Sequence, residues 1–318
     1  MRVSGALWAL PAAAAVPASA YGLARYAFGS PRGDQNDDLA VPHLEQMDLL
    51  RGRIQTMIRE LNKIPCERVT IASHDGLRLA GRFYPGKPGA PLILGFHGYR
   101  GTPSRDFSGG AAFHLAAGMN LLMVEQRAQC ASQGHYITMG VKESFDCSRW
   151  VEYALERFGA DTRIILSGIS MGATTVLLSA GLGQPDNVRG IIADCPFTSP
   201  GAIVKSVIRS MKLPLFPTYP LLALGARLFA GFRMEEADAA RAVRGVDIPI
   251  LLIHGEEDRF VPCDMSRQIA AANSAIEFHS FPGAGHGLCF LTDKERYCAI
   301  ASDFISRALE RRTPTLPY

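Results

Sequence analysis

Gly168-Ile169-Ser170-Met171-Gly172 sets a serine between two glycines, just after the apolar run 164–167 and just before a run of small, helix-compatible residues. That pattern predicts a strand, a tight turn and a helix, with the serine at the apex. A serine hydroxyl is a poor nucleophile until it is held clear of the backbone. It needs a base beside it and N–H groups placed to receive an oxyanion. Gly168 and Gly172 leave room for the sharp turn and for close packing of helix on strand.

The same kind of chemistry stands at three other strand ends. Leu92–Phe96 runs into His97-Gly98-Tyr99-Arg100-Gly101. Residues 250–253 run into His254-Gly255-Glu256-Glu257-Asp258-Arg259-Phe260-Val261-Pro262, and Ile276–Phe281 leads to Gly283-Ala284-Gly285-His286-Gly287. In an open α/β sheet the site lies beyond the carboxyl ends of the strands. A nucleophile, an acid, a base and a Gly-rich turn therefore converge there, in the chain order Ser, Asp, His. Ser170 is placed to attack a carbonyl, His286 to carry its proton to the leaving group, and Asp258 to hold the imidazole. Asp258 has competitors in Glu256 and Glu257 of the same loop, and in Asp194 just after the run 191–193. His286, between glycines, has no packing role to explain it. His97 and His254 read as structural residues at strand ends, His97 orienting the turn that follows it. His74, His114, His135 and His279 belong to no constellation.

The elements that must position these residues follow from the hydropathy pattern. From residue 68, Val69-Thr70-Ile71 and Leu77, Leu79 and Phe83 alternate around Asp75-Gly76, a hairpin signal. Short apolar runs then alternate with helical stretches: 92–96, 121–124, 164–167, 191–193, 250–253 and 276–281. That rhythm predicts an α/β protein with a mostly parallel sheet covered on both faces. Residues 199–245 are too many for one crossover helix and predict a helical lid insertion. Its stripe Leu221, Leu222, Leu224, Leu228 and Phe229 is a candidate acyl pocket. Ahead of the main fold, Leu44, Met47, Leu50, Ile54, Ile58 and Leu61 recur at helical spacing. Residues 29–38 read as a linker, and 1–28 as an apolar, Ala-rich and weakly hydrophobic segment: a membrane anchor, a signal with Ala18-Ser19-Ala20 as its cleavage site, or an amphipathic or loosely packed helix. As an anchor, this segment would be dispensable for folding and turnover. The expected organisation is thus 1–28, then linker and amphipathic helix to 67, then a catalytic domain over 68–312.

Composition narrows the field. A formal charge of +3 over 318 residues, with no basic run interleaved with aromatics, argues against a nucleic-acid surface. Seven scattered cysteines include no Cys-x-x-Cys pair, so neither a zinc site nor a disulfide framework is indicated.

Taken together, His97-Gly98, the Gly-x-Ser-x-Gly turn, His254-Gly255 with Asp258 and Val261-Pro262, and Gly283-Ala284-Gly285-His286 resemble the α/β-hydrolase superfamily over residues 68–310. The similarity is greatest to its bacterial serine aminopeptidase-like and esterase-like branch. Glu125-Gln126-Arg127-Ala128-Gln129 resembles that branch's Asp-x-Arg-Gly/Ala-x loop, with Glu in place of Asp and Cys130 as a second departure. The resemblance implies the α/β-hydrolase fold and an oxyanion hole made by the backbone N–H groups of Met171 and Tyr99. It also implies a serine hydrolase that cleaves a carboxylic ester, thioester or amide through an acyl-enzyme. The expected partner is a small-molecule or peptide acyl substrate, with no metal or organic cofactor. Two alternatives remain: an acyltransferase using the same acyl-enzyme, and a non-catalytic binding module of the same fold. A dehalogenase is excluded, since it needs a carboxylate at position 170. The expected location is the membrane, through the N-terminus, with cytoplasmic or secreted as alternatives.

Overall fold

A computed structural model describes residues 9–30, 37–42 and 45–311. The first part of the apolar N-terminal segment, residues 31–36 of the expected linker, and residues 43 and 44 lie outside it. Eight strands form one sheet: β1 (Glu67–Ala72), β2 (Arg78–Tyr84), β3 (Leu92–Phe96), β4 (Asn120–Glu125), β5 (Ile164–Ile169), β6 (Val188–Asp194), β7 (Ile250–Gly255) and β8 (Ile276–Phe281). Their order is β1-β2-β4-β3-β5-β6-β7-β8. The β1–β2 hairpin and the β2–β4 pair are antiparallel, and every other pair is parallel. This is the α/β-hydrolase arrangement that the strand and motif pattern predicts.

Alternation along the central strands divides the core between the two faces of the sheet. Leu92, Leu94, Phe96, Leu166 and Leu252 pack on α4 (Val141–Phe158) and α5 (Met171–Ala180), around the fully buried Trp150. Ile93, Leu121, Met123, Ile165, Leu251 and Ile253 face the other way. They meet Phe107 and Ala111 of α3 (Pro103–Ala116) and Phe304 and Ile305 of α11 (Lys294–Glu310).

The loop after β4 is fixed by buried charges. Glu125 receives two hydrogen bonds from Arg68, at 2.6 and 3.0 Å, and one from Arg82 at 3.0 Å. The longer side chain that replaces the expected Asp therefore ties this loop to both β1 and β2. Arg127 is held by Asp146 of α4 through two 2.6 Å bonds and by Asp75 at 2.9 and 3.1 Å.

Between β6 and β7 lies the expected helical insertion: α6 (Pro200–Ser210), α7 (Leu215–Gly225), a π turn over Ala226–Ala230, and α8 (Ala239–Ala242). What it packs against differs from expectation. The N-terminal helix α1 (Ala9–Phe28) lies on α7, with Ala20, Ala24 and Phe28 fully buried. Gly225 is the contact that permits this: a Cβ there would stand 2.3 Å from the Ala20 carbonyl oxygen and 2.8 Å from the Ala24 Cβ. Tyr21 stacks edge-on against Phe229, and Phe28 against Phe232. The expectation that this segment stands apart from the catalytic domain therefore fails for residues 20–28, which are part of the insertion's core. Among the described residues, no helix is long and apolar enough to cross a membrane.

Candidate active site

Ser170 sits at the β5–α5 turn with φ of 56°, the left-handed region that a non-glycine residue enters at a cost. Crowding around the turn leaves it no alternative. A Cβ at Gly168 would lie 2.3 Å from the Gly172 backbone, and one at Gly172 would lie 1.9 Å from the Phe96 carbonyl oxygen. The Ser170 N–H donates to the Asp194 carbonyl at 2.8 Å, which pins the apex to β6. The two glycines of the motif are thus steric requirements of strand β5 passing into helix α5 beside β3.

His286 comes to this apex from the loop after β8. Its Nε2 lies 3.0 Å from Ser170 Oγ and its Nδ1 lies 2.7 Å from Asp258 Oδ2. Asp258 is buried and surrounded by donors. Its Oδ1 accepts from the N–H groups of Phe260 and Val261 at 2.9 and 2.8 Å, and its Oδ2 also lies 3.2 Å from His254 Nε2. Burial raises its pKa, but the two histidines and these hydrogen bonds more than offset that and hold the carboxyl well below its usual range. The effect on His286 mirrors this. Burial works against its charged form, and the Asp258 charge and hydrogen bond outweigh burial, so its pKa is raised above 6.5.

The rival acids are used elsewhere. Glu256 accepts from the Ser280 hydroxyl at 2.6 Å. Glu257 is exposed. Asp194 is buried beneath the site with the Tyr297 hydroxyl as a partner, and burial pushes its carboxyl up to about 6. His254 does more than pack a strand end. Its Nδ1 lies 2.7 Å from Ser266 Oγ, which leaves Nε2 aimed at the Val261 carbonyl and Asp258. No periodicity announces this role; the one hint is its place four residues before the acid.

The loop after β3 carries the second backbone donor expected for an oxyanion. His97 is fully buried, and its Nε2 accepts from the Gln126 N–H at 3.1 Å. That fixes its proton on Nδ1, which donates to the Gly98 carbonyl at 2.8 Å. Asp106 accepts from the Gly98 N–H at 2.6 Å. The next residue, Tyr99, lines the same cavity as Ser170. Met171 opens α5, so its N–H has no acceptor within the helix. The end of α1 also grips this loop: the Tyr99 hydroxyl donates to the Ala27 carbonyl at 2.6 Å and Arg100 to the Tyr26 carbonyl at 2.5 Å.

A cavity of about 320 Å³ opens beside Ser170 and His286. Met47, Ile54 and Met57 of α2 (Glu45–Asn62), Phe107 and Gly110 of α3, and Phe290 of α10 (Cys289–Thr292) line it. No residue of the 199–245 insertion does. The stripe expected to form an acyl pocket is spent otherwise: Leu222 packs in the insertion's core, Phe229 meets Tyr21, and Leu228 is 56% exposed.

Comparison with known proteins fits this geometry. The model of the prolyl oligopeptidase family matches residues 132–312, more than half of the chain. The chain belongs to that family. It is 28% identical over 193 residues to the Bacillus subtilis protein YqkD, covering 60% of this chain and 63% of YqkD, less than two thirds of that relative. It is 24% identical over 211 residues to YfhR of Escherichia coli K12, covering 64% of this chain and 66% of YfhR. Among solved structures it resembles the Pyrococcus furiosus esterase PF2001, with a TM-score of 0.66 at 21% identity, over 88% of this chain and 97% of the esterase. It also resembles a Burkholderia cenocepacia protein described as a putative aryl esterase, with a TM-score of 0.57 at 18% identity, over 77% and 100% of the two chains. Family and fold place this protein in the α/β-hydrolase superfamily.

Proposed function

We propose that this protein is a serine esterase working through an acyl-enzyme, with Ser170, His286 and Asp258 as its catalytic triad. The observation that carries the reading is the unbroken run of hydrogen bonds from Asp258 Oδ2 through both nitrogens of His286 to Ser170 Oγ, at 2.7 and 3.0 Å. In the first half-reaction Ser170 Oγ bonds to the ester carbonyl carbon as its proton passes to His286 Nε2. The imidazolium that forms is stabilised by Asp258. The N–H groups of Met171 and Tyr99 receive the oxyanion. Collapse breaks the bond to the alcohol, which leaves with the proton from Nε2. Water then attacks the acyl carbon by the same route, releasing the acid and returning the proton to Ser170.

The esterase names carried by its structural neighbours support an ester as substrate. The family match favours a second reading, an amide, because prolyl oligopeptidases are peptidases. The test is a side-by-side assay of p-nitrophenyl acetate and aminoacyl p-nitroanilides. The ester should be turned over faster, and Ser170→Ala should lower kcat by about 10³-fold or more with an unchanged circular-dichroism spectrum. Faster turnover of the anilides would replace the ester reading with the amide one. Undiminished turnover by Ser170→Ala would remove both.

A further inference from the structure

The cavity beside Ser170 has a roof that the sequence pattern gave no reason to place there. Helix α2 buries Ile54 and Ile58 against Val41 and Leu288, and at the same time turns Met47, Ile54 and Met57 toward the space next to the serine. A second wall is α3, which packs beside α2 and breaks a local rule. Gly109 and Gly110 stand together inside this helix, where each costs about 1 kcal/mol relative to Ala. Neither has a positive φ.

Packing explains only the first of the two. A Cβ at Gly109 would lie 2.4 Å from the Phe290 ring and 3.0 Å from the terminal methyl of Met57, so glycine lets α2, α3 and α10 meet there. A Cβ at Gly110 would have nothing within 4 Å, yet Gly110 lines the cavity. Its missing side chain is open space inside the pocket. A destabilising residue that no contact requires, placed where it enlarges a cleft, is the kind of local inconsistency that marks a functional site.

We propose that this cavity is the acyl-binding site, that α2 is its cap, and that the protein takes esters of uncharged, apolar acyl groups. This rests on Ser170 being the nucleophile. Three features carry the assignment. First, the cavity begins at Ser170, His286 and Tyr99, so a chain bonded to Oγ with its carbonyl oxygen at the Tyr99 and Met171 N–H groups runs into it. Second, the side chains of Met47, Ile54, Met57, Phe107 and Phe290 are apolar, and burying methylene groups against them is favourable. Third, the charged side chains that line it are already engaged, and its other polar groups offer nothing to an anionic acyl tail. Arg105 lies 3.4 Å from Asp106 and donates to the Ala40 and Arg100 carbonyls, and Arg100 donates to the Tyr26 carbonyl. His114 is buried with Nδ1 unpartnered and is held neutral, its pKa pushed down to about 4 by burial. Asp194 keeps a buried, unpartnered Oδ1 that would repel a carboxylate. Neither group compensates a negative charge.

The test uses p-nitrophenyl esters with acyl chains from acetyl to dodecanoyl, on the full chain and on Gly110→Leu. In the unsubstituted protein kcat/KM should climb by up to about fourfold per added methylene, then level off when the cavity is full. Gly110→Leu places its side chain in the open space and should end the climb roughly four carbons sooner, about the number of carbons it adds. It should melt no lower, because a helix glycine is replaced by a good helix former. Leu224→Ser, on the insertion, should leave the chain-length profile unchanged. A flat profile in the unsubstituted protein, or one that Leu224→Ser shifts and Gly110→Leu does not, would overturn the proposal. So would a Gly110→Leu effect that follows the alcohol in a series of acetate esters and not the acyl chain. A small fluorophosphonate run in parallel separates the two levels. Labelling at Ser170 with any of these contrary profiles sinks the pocket alone, and no labelling at Ser170 sinks the nucleophile on which it rests.

Discussion

Gly225→Val should loosen the active site from a distance, and the structure gives the size of the effect. A Cβ at residue 225 would meet the Ala20 carbonyl oxygen at 2.3 Å and the Ala24 Cβ at 2.8 Å, both on α1. These are helix atoms and not the ends of flexible side chains, so α1 must move. Overpacking of this kind costs about 1–3 kcal/mol. At about 2–4 °C per kcal/mol for large domains, the melting temperature should fall by roughly 2–12 °C. The kinetic effect comes through the C-terminal end of α1. The Ala27 and Tyr26 carbonyls hold the Tyr99 hydroxyl and Arg100, and so set the loop whose Tyr99 N–H is the proposed oxyanion donor. Deleting one such donor lowers kcat by about 10²–10³-fold, so displacing it should cost less than that, with KM little changed. The assay pairs a thermal melt with ester turnover well below the melting temperature. Unchanged melting and unchanged kcat would mean that α1 does not pack on α7 and does not steady the loop. A lower melting temperature with full kcat would leave the packing standing and refute the link to Tyr99.

Three further outcomes follow from the site. Asp258→Asn should lower kcat by about 10³–10⁴-fold, as expected when the imidazole loses its orienting carboxylate. Asp194→Asn should lower it by less than about tenfold, and equal losses in the two variants would show that the acid is misassigned. The acid limb of kcat/KM should lie above pH 6.5, because Asp258 raises the pKa of His286 and only the neutral ring accepts the serine proton. A pH profile with its limb below that value would contradict the pairing. Asp146→Ala removes two of the bonds to the buried Arg127 and should cost about 3 kcal/mol in urea denaturation, with Asp75 as the remaining partner. A loss under about 1 kcal/mol would mean that the loop after β4 is held by other contacts.

How much of this was legible in the sequence depends on whether a residue's role is local. Strand β3 coincides with the apolar run that predicts it, since a buried parallel strand must be apolar throughout. The half-buried edge strand β8 coincides with the run 276–281 although Glu277, His279 and Ser280 interrupt it. The motifs at the strand ends are local too, and the meeting of Ser170, Asp258 and His286 followed from the strand ends that carry them. The roles that were missed depend on a neighbour distant in the chain. Ala20 and Ala24 read as a weakly hydrophobic helix. Their value lies in being small enough for α1 to approach Gly225, some two hundred residues away. Met47 and Ile54 share one apolar stripe with Ile58 and Leu61, and periodicity does not separate the part of it that packs from the part that bounds a cavity, nor does it pick out Met57 beside it. The Leu221–Phe229 region misled for the same reason: an apolar stripe announces burial, not the surface that buries it. The paired glycines at 109 and 110 inside a helical stretch were the one local sign of the pocket.

The central claim is that Ser170 is the acylated nucleophile. Treating the full chain with a small fluorophosphonate, then digesting it and mapping the modified peptide by mass spectrometry, tests that claim directly. The account predicts one adduct per chain, on Ser170, formed more slowly below pH 6.5 as His286 takes up its proton, and absent in Ser170→Ala. An adduct on any other residue of the unsubstituted protein, or one that persists in Ser170→Ala, would contradict it.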